Sequence, residues 1–293
     1  MTDMKTFIRA TLLVFHVGCG AISSISETAE VVEPTGTESV APEWEAPVRD
    51  LLAENQILIV GEMHGNEEGP QSLWQTASLA LEHHGAVSIG LETPESDTEI
   101  LQAWMASDGL AEDSEALLQA WLWHPEMFDG RGTQAAMRML EKARRTRQSG
   151  ADLEVFAFVR PGEHDPGDQN PHEQRMADVI TEHAQARPGR KVVILVGNLH
   201  AMIRPISLPE MQEIKPMAMK VRALIPETVT IRLAHSGGQS WGHGSEGPSL
   251  IELSDQDVPN TFELLENDDY DARWPVGDAT PSLPAHPEVV LPD

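Results

Sequence analysis

The chain has 293 residues, of which 47 are Asp or Glu and 20 are Lys or Arg, so its formal net charge is −27. A field of that sign repels phosphate backbones and anionic lipid headgroups, so we do not expect nucleic acid as a partner. The hydrophobic content of 40% is enough for one large α/β domain or two small ones. The single cysteine, Cys19, excludes a disulfide within the chain.

Residues 1–19 have the pattern of a leader. Lys5 and Arg9 precede a short apolar stretch at residues 10–18, and Cys19 follows directly. The stretch is too short to cross a bilayer as a helix. It resembles a bacterial lipoprotein signal, which implies a lipidated Cys19 and a membrane contact made only through that lipid anchor. Ordinary secretion and a cytosolic extension are the alternatives.

Composition divides the remaining chain into three parts. Residues 20–42 are rich in Ser, Thr, Glu, Val and Pro without helical or strand period, which predicts a flexible linker. Residues 43–254 are predicted to form the folded domain. Residues 255–293 combine many prolines with acidic residues, such as Glu266-Asn267-Asp268-Asp269, and are predicted to form a poorly ordered acidic tail.

Within the folded part, short apolar runs alternate with segments of helical period. The predicted strands are residues 57–60, 86–91, 154–159, 192–196 and 229–234. The predicted helices are one from Pro70 to Gly85, one capped by Ser96, one near 113–122, one capped by Thr133 and one that starts at Asn170-Pro171. This order predicts an α/β fold, with a central mostly parallel or mixed sheet and helices on both faces. A helical insertion between residues 95 and 147 is predicted over the carboxyl ends of the strands, and residues 237–244 are predicted to be a loop.

Two of the predicted strands end in the same short pattern. The run at 57–60 leads into Gly61-Glu62-Met63-His64, and the run at 193–196 leads into Gly197-Asn198-Leu199-His200. The strand at 86–91 delivers Glu92 in the same way. Ligands bind at the carboxyl edge of open α/β sheets. We therefore predict one site that contains Glu62, His64, Glu92 and His200.

These residue types suit two kinds of water activation. Two imidazoles and one or two carboxylates can hold Mn, Co or Zn with an open coordination position, and such a metal generates hydroxide near neutral pH. The metal ligands would then be His64, His200, Glu62 and Glu92. The same set works without a metal if a histidine is the general base and a glutamate orients it. The residues alone leave both alternatives open.

Three further charged residues are predicted to bind substrate or to orient the carboxylates: Arg131, Arg175 and Glu95. Arg131 lies in a turn before a helix, where its guanidinium can grip a carboxylate or a phosphate. Arg175 lies in the first turn of its helix, where the helix dipole disfavours a cation. That position predicts a carboxylate partner for Arg175.

The chain resembles a superfamily that groups erythromycin esterase-like proteins, ChaN-type haem-binding lipoproteins and TIKI/TraB-type proteins. The residues that carry the resemblance are Gly61-Glu62-Met63-His64-Gly65, Leu91-Glu92, Asp129-Gly130-Arg131, Arg175-Met176-Ala177 and Gly197-Asn198-Leu199-His200. TIKI-type relatives imply a divalent metal at His64 and His200 with a glutamate. Esterase-like relatives imply a metal-free Glu/His set that opens a lactone. ChaN-like relatives imply haem bound through Tyr and His, yet Tyr270, in the predicted tail, is the only tyrosine.

The expected function is therefore hydrolysis of a peptide, an ester or a lactone by a lipoprotein of the cell envelope or a secreted protein. Its partner would be a small-molecule or peptide substrate. The alternative function is binding of haem or metal without catalysis, and the alternative location is the cytoplasm. The sequence does not determine the oligomeric state.

Overall fold

The structure contains every predicted strand and adds others to the same sheet. The computed structural model describes residues 41–163, 165, 167–207, 212–244, 247–253, 258–289 and 291. The predicted leader, Cys19 and nearly all of the predicted linker lie outside these residues. Among the described residues the strands are β1 (Ile57–Glu62), β2 (Ala86–Pro94), β3 (Asp152–Val159), β4 (Lys191–Gly197), β5 (Thr228–Gly244), β6 (Gly247–Glu252), β7 (Glu263–Leu264) and β8 (Ala272–Ala279).

Helices separate most of the strands. They are α1 (Glu45–Glu54), α2 (Glu68–His84), α3 (Thr98–Ala106), α4 (Ala111–Leu117), α5 (Gln134–Gln148), α6 (Asn170–Gln185), α7 (Asn198–Ala201) and α8 (Met217–Leu224). Short 3-10 helices lie at Glu95–Asp97, Trp121–Trp123 and Pro125–Met127. In the part of the chain that the structure describes, no helix has the length and apolar character needed to cross a membrane.

Most predicted helix ends agree with the structure, and three differ. One is the start of α2, which lies at Glu68 and not at Pro70. Gly85 ends α2 in the left-handed conformation, and the Thr133 hydroxyl accepts the Ala136 N–H at 3.3 Å at the start of α5. The prediction that Ser96 caps a helix is wrong, because Ser96 lies inside a 3-10 turn and α3 begins only at Thr98. The helix predicted at 113–122 is shorter, since α4 ends at Leu117 and a 3-10 turn follows.

The sheet is open and mostly parallel. Its strand order is β3-β2-β4-β1-β5-β8-β7, and β6 pairs with the far end of β5. The pairs β5–β6 and β7–β8 are antiparallel, whereas β1, β2, β3, β4, β5 and β8 pair in parallel. The carboxyl ends of β1, β4 and β2 therefore lie side by side, with β4 in the middle.

Alternate side chains of the central strand enter two cores on opposite faces of the sheet. Leu58 and Val60 pack in a cluster with apolar residues of α1, α2, α3 and α5. Ile57 and Ile59 pack in a second cluster with α6, α7 and α8. A strand buried on both faces is apolar throughout, which explains why the run at 57–60 does not alternate. The predicted fold class, with helices on both faces, is confirmed.

The chain after residue 254 was expected to be a poorly ordered tail, and for much of it that prediction is wrong. Strand β8 pairs in parallel with β5, and Tyr270, Ala272 and Trp274 are buried. The described residues belong to one compact unit, which includes β8. The apolar segment of β8 is short and is flanked by prolines and acidic residues, so the composition of this region did not indicate a strand. The loop predicted at 237–244 is also wrong, because these residues extend β5 and pair with β6.

Candidate functional site

The strand register brings the polar ends of three strands to one place. Glu62 at the end of β1 pairs with Gly197 at the end of β4. Leu91 of β2 pairs with Leu195 of β4, so Glu92 follows at the same edge. His64 lies in the turn after β1, and His200 lies in α7 directly after β4. The four residues predicted to form one site do meet at one edge of the sheet.

The first half of the site is a pair formed by Glu62 and His64. His64 Nδ1 lies 2.9 Å from Glu62 Oε1, so the Nδ1–H donates to the carboxylate and Nε2 faces away from it. Glu62 is 5% exposed, and its Oε2 makes no hydrogen bond to the described residues. That oxygen packs against Gly69 at the start of α2, where a Cβ would lie 1.6 Å away. Glu62 therefore fixes the orientation of the His64 ring.

The second half has the same design and uses a carboxylate that the sequence analysis missed. His200 Nδ1 lies 2.7 Å from Oε1 of Glu173, a buried residue in the first turn of α6. The other oxygen of Glu173 accepts the Met217 N–H at 2.7 Å, which ties it to the start of α8. The signal that could have revealed Glu173 is its position on the apolar face of α6, in line with Met176 and Ala177.

Glu92 lies between the two histidines. His64 Nε2 is 3.6 Å from Glu92 Oε2, and His200 Nε2 is 3.9 Å from Glu92 Oε1. Arg131 Nη1 donates to Glu92 Oε1 at 3.0 Å and to the Glu92 carbonyl at 2.8 Å. The Gly197 N–H donates to Glu92 Oε2 at 2.7 Å. Both Nε2 atoms therefore face one carboxylate whose oxygens are already held in place.

Arg131 is itself held by the helical insertion. Its guanidinium makes a two-pronged ion pair with Asp129 and lies 5.4 Å from the centroid of the Trp121 ring. Asp129 belongs to the motif that carried the family resemblance, but no role of its own was predicted for it. The predicted insertion thus reaches the strand ends through residues 121–131.

The charges of the site shift the pKa of both histidines upwards. Burial disfavours the imidazolium of His200, but the hydrogen bond to Glu173 and the charge of Glu92 outweigh it and raise the pKa of His200 to about 9. The same balance raises the pKa of His64, where the opposing charges are those of Glu92 and Glu62. His200 therefore keeps its proton at neutral pH.

The carboxylates of the site shift in opposite directions. Burial opposes ionisation of Glu92, but Arg131 and the two histidines outweigh it and lower the pKa of Glu92 to about 2. Burial raises the pKa of Glu62 despite its hydrogen bond with His64. Strongly shifted carboxyl and imidazole groups within one cleft are typical of catalytic sites.

Two glycines allow the loops around the site to approach each other. Gly65 and Gly130 have φ of 90° and 100°. A Cβ on either residue would lie less than 2.5 Å from the Trp241 carbonyl oxygen of β5. A cavity of about 30 Å³ lies beside Glu62, His64, Glu92 and Arg131. It has room for a water molecule next to the two carboxylates.

Two predicted substrate-binding residues lie away from this set. The Arg175 guanidinium donates to the backbone carbonyls of Arg160 and Glu163, at 3.3 and 3.1 Å, so the expected carboxylate partner is wrong. Glu95 forms an ion pair with Arg160 at 2.9 Å. Glu95 follows β2 and Arg175 lies within α6, and both side chains contact Arg160 instead of the histidines.

The side-chain arrangement does not form a ready metal site. Among the described residues, no group of three or more His, Cys, Asp or Glu side chains is arranged to hold a metal ion. Both Nδ1 atoms are engaged by glutamates, and both oxygens of Glu92 accept hydrogen bonds. The hydroxyl of Tyr270, the only tyrosine of the sequence, donates to the Asn198 carbonyl at 3.0 Å. Metal and haem binding stay predictions.

No protein-family model matches the sequence, and no curated protein matches it at a significant level. Several solved structures are similar. A mutant of the erythromycin esterase EreC in its open conformation has a TM-score of 0.65 and 13% identity, over 84% of this chain and 95% of that one. A succinoglycan biosynthesis protein has a TM-score of 0.64 and 12% identity, over 81% and 91% of the two chains.

A third similar structure is that of a Bacillus cereus protein, with a TM-score of 0.54 and 11% identity over 82% of this chain and 92% of that one. At such low identities the likeness shows the fold and nothing finer. The chain therefore shares an α/β fold with erythromycin esterase EreC, which agrees with the coarser part of the resemblance found in the sequence.

Proposed function

We propose that the protein is a hydrolase in which two Glu–His pairs activate water for attack on the carbonyl carbon of an ester or a lactone. The observation that carries the proposal is the convergence of His64 Nε2 and His200 Nε2 on Glu92, while Glu62 and Glu173 hold the two Nδ1 atoms. The fold shared with an esterase supports the same reaction class. A peptide substrate is the second possibility and uses the same chemistry.

The two histidines take different roles in this reaction. His64 in its neutral form accepts a proton from water at Nε2, while the water oxygen forms a bond to the carbonyl carbon of the substrate. The carbonyl π electrons move onto oxygen and give a tetrahedral oxyanion. His200, protonated at neutral pH, offers its Nε2–H as a hydrogen bond to this oxyanion. As the oxyanion electrons re-form the carbonyl and the C–O bond breaks, His200 transfers that proton to the departing alkoxide oxygen. The products are an acid and an alcohol from an ester, or one hydroxy acid from a lactone.

Glu92 sets the charge balance between the two histidines. It remains ionised because its pKa is about 2, and it stabilises whichever imidazole is protonated. Arg131 and the Gly197 N–H prevent it from rotating toward either ring. Glu62 and Glu173 act as orienting groups, since each fixes the tautomer of one histidine. Arg131 is in this way a positioning residue.

The test is a screen of chromogenic esters and lactones with the purified full-length protein. His64→Ala and His200→Ala are expected to lose activity by roughly 100-fold or more, the usual scale for removal of an acid or base. His124→Ala is a matched control, because His124 is an exposed histidine of the insertion. Equal activity of the wild type and the His64→Ala variant would refute the assignment.

The rate is expected to follow a bell-shaped pH profile. It rises as His64 loses its proton, above pH 6.5 because the pKa of His64 is raised. It falls as His200 loses its proton near pH 9. A rate that keeps rising well beyond pH 9 would contradict the role of His200 as the acid.

The predicted binding of Mn, Co or Zn is tested separately. Plasma mass spectrometry quantifies bound metal in the wild type and in the His64→Ala/His200→Ala double variant.

A further inference from the structure

A short segment near the end of the chain runs between two loops of the candidate site. It comprises residues 280–285, which follow β8 directly, and we call it the strap. Its first half pairs with the loop that begins one residue after His64. Its second half pairs with the loop that begins one residue after Arg131. The strap therefore contacts both of the loops that deliver these two side chains to Glu92.

Backbone hydrogen bonds join the first half of the strap to the loop after His64. The Ser282 N–H donates to the Gly65 carbonyl at 2.9 Å, and the Glu67 N–H donates to the Thr280 carbonyl at 2.9 Å. An antiparallel bridge lies between these two bonds. The strap thus holds the residue that directly follows His64 and the residue that directly precedes α2.

The second half of the strap is bonded to the start of α5. The Gln134 N–H donates to the Leu283 carbonyl at 2.8 Å, and the Ala285 N–H donates to the Gly132 carbonyl at 3.0 Å. The first N–H groups of a helix have no partner within the helix, so they need an acceptor from elsewhere. The strap supplies such an acceptor to α5, and it also holds the residue that directly follows Arg131.

Ser282 connects the two halves. While its N–H holds Gly65, its hydroxyl oxygen accepts the Ala135 N–H in the first turn of α5 at 3.1 Å. The same hydroxyl group donates to the Glu67 carboxylate. Ser282 is 0% exposed, so solvent does not reach these hydrogen bonds. One buried side chain therefore links the start of α5 to the loop after His64.

The spacing of the two loops decides the geometry at Glu92. His64 Nε2 lies 3.6 Å from one Glu92 oxygen, and Arg131 Nη1 lies 3.0 Å from the other. The loops also approach each other directly, since a Cβ on Gly130 would lie 3.1 Å from the Gly65 nitrogen and from the His64 Cβ. A shift of one loop against the other would therefore move His64 relative to the carboxylate that Arg131 holds.

We propose that the strap sets the spacing of the His64 and Arg131 loops, and that Ser282 is a positioning residue of the site. The inference rests on the proposed hydrolase function and extends its machinery to a segment whose composition predicted an acidic tail. Ser282 acts through the placement of His64 and Glu92 and does not contact the substrate.

The kinetic test is Ser282→Ala in the full-length protein, assayed with 4-nitrophenyl acetate. The substitution removes the hydroxyl group and keeps the backbone hydrogen bond to Gly65. Because small displacements of catalytic groups are costly, kcat should fall roughly 10-fold, with little change in KM. An unchanged kcat would overturn the proposal. A change in KM alone would overturn it as well, because it would place Ser282 in substrate binding.

The matched control is Ser88→Ala, the same substitution at another fully buried serine. Ser88 lies toward the amino end of β2, away from the edge of the sheet that carries the site, and its hydroxyl donates to Glu154 Oε1 at 2.7 Å. Ser88→Ala should keep the kcat of the wild type. An equal fall of kcat in both variants would attribute the effect to general loss of stability and overturn the assignment to Ser282.

A measurement without substrate separates failure of the strap from failure of the hydrolase. The protein is labelled with ¹⁵N-histidine, and the ring signals of His64 and His183 are identified by their loss in His64→Ala and His183→Ala. Ser282→Ala should shift the His64 signals and leave those of His183 in place. Ser88→Ala should do the reverse, because His183 Nε2 lies 3.2 Å from the Glu154 oxygen that Ser88 contacts.

The outcome of this measurement does not depend on catalysis. Shifts of the His64 signals in Ser282→Ala and not in Ser88→Ala support the strap even if no ester is hydrolysed. Unchanged His64 signals in Ser282→Ala would overturn it, whatever the hydrolysis assay shows.

Discussion

Replacement of Glu173 by Gln tests the least expected part of the site. Glu173 is buried, its Oε1 lies 2.7 Å from His200 Nδ1, and its Oε2 accepts the Met217 N–H. Glutamine has the same shape, and its amide oxygen can still accept one of these two hydrogen bonds. The substitution therefore removes the negative charge with little loss of packing.

The size of the effect follows from the pKa of His200. A rise from 6.5 to about 9 corresponds to a free energy of about 3 kcal/mol. Glu92 contributes part of it, so loss of the Glu173 charge should cost roughly 1 to 2 kcal/mol. Because the folded pKa is raised, this stabilisation is fully present below pH 6.5 and disappears as the pH rises through 9. The cost of Glu173→Gln should therefore be largest near pH 6.

The assay is urea unfolding of the wild type and Glu173→Gln at pH 6 and at pH 9.5. The difference in the free energy of unfolding should shrink between the two pH values by roughly 1 to 2 kcal/mol. Glu182→Gln is the control, because Glu182 lies on the same helix but pairs with Arg160 at the surface. A difference that is the same at both pH values would refute the reasoning. In the hydrolysis assay, the pH at which the rate falls on the alkaline side of the profile should be lower than 9 in Glu173→Gln.

Three more substitutions test other parts of the site. Arg131→Met should raise the pKa of Glu92 from about 2. The substitution should therefore lower the free energy of unfolding at pH 7, and this loss should shrink as the pH falls toward 2. A loss that is the same at every pH would contradict this. Gly197→Ala places a Cβ 3.1 Å from His64 Nε2 at an ordinary backbone conformation. It should lower kcat/KM by roughly 10- to 100-fold with little change in Tm, and unchanged kinetics would show that the ring is not displaced. Asp97→Ala removes the acceptor of the Trp121 and Leu122 N–H groups. It should lower the free energy of unfolding by roughly 2 to 4 kcal/mol and speed amide hydrogen exchange in residues 121–131. Unchanged exchange there would show that Asp97 does not hold the insertion.

The sequence alone predicted five of the eight described strands and most of the residues that meet at the site. Apolar runs such as 57–60 and 192–196 are buried on both faces of a parallel sheet, so their pattern is hard to mistake. Glycine after each run marks the strand end, and the polar residues that follow must lie at the carboxyl edge of the sheet. Glu62, His64, Glu92 and His200 could be grouped for that reason.

Only the tertiary structure decided how these residues are paired. The position of β4 between β1 and β2 places His64 and His200 on either side of Glu92, and no local pattern encodes strand order. Glu173 and Asp129 come from distant segments, and Arg175, which shares a helix turn with Glu173, points to backbone carbonyls instead. Strand β8 was hidden because its apolar segment is short and its partner β5 is distant in the chain, with 41 positions separating the paired residues Arg232 and Arg273. Local periodicity reports which residues are buried, whereas the partner of each polar side chain depends on contacts between segments far apart in the chain, and those are fixed only when the sheet assembles.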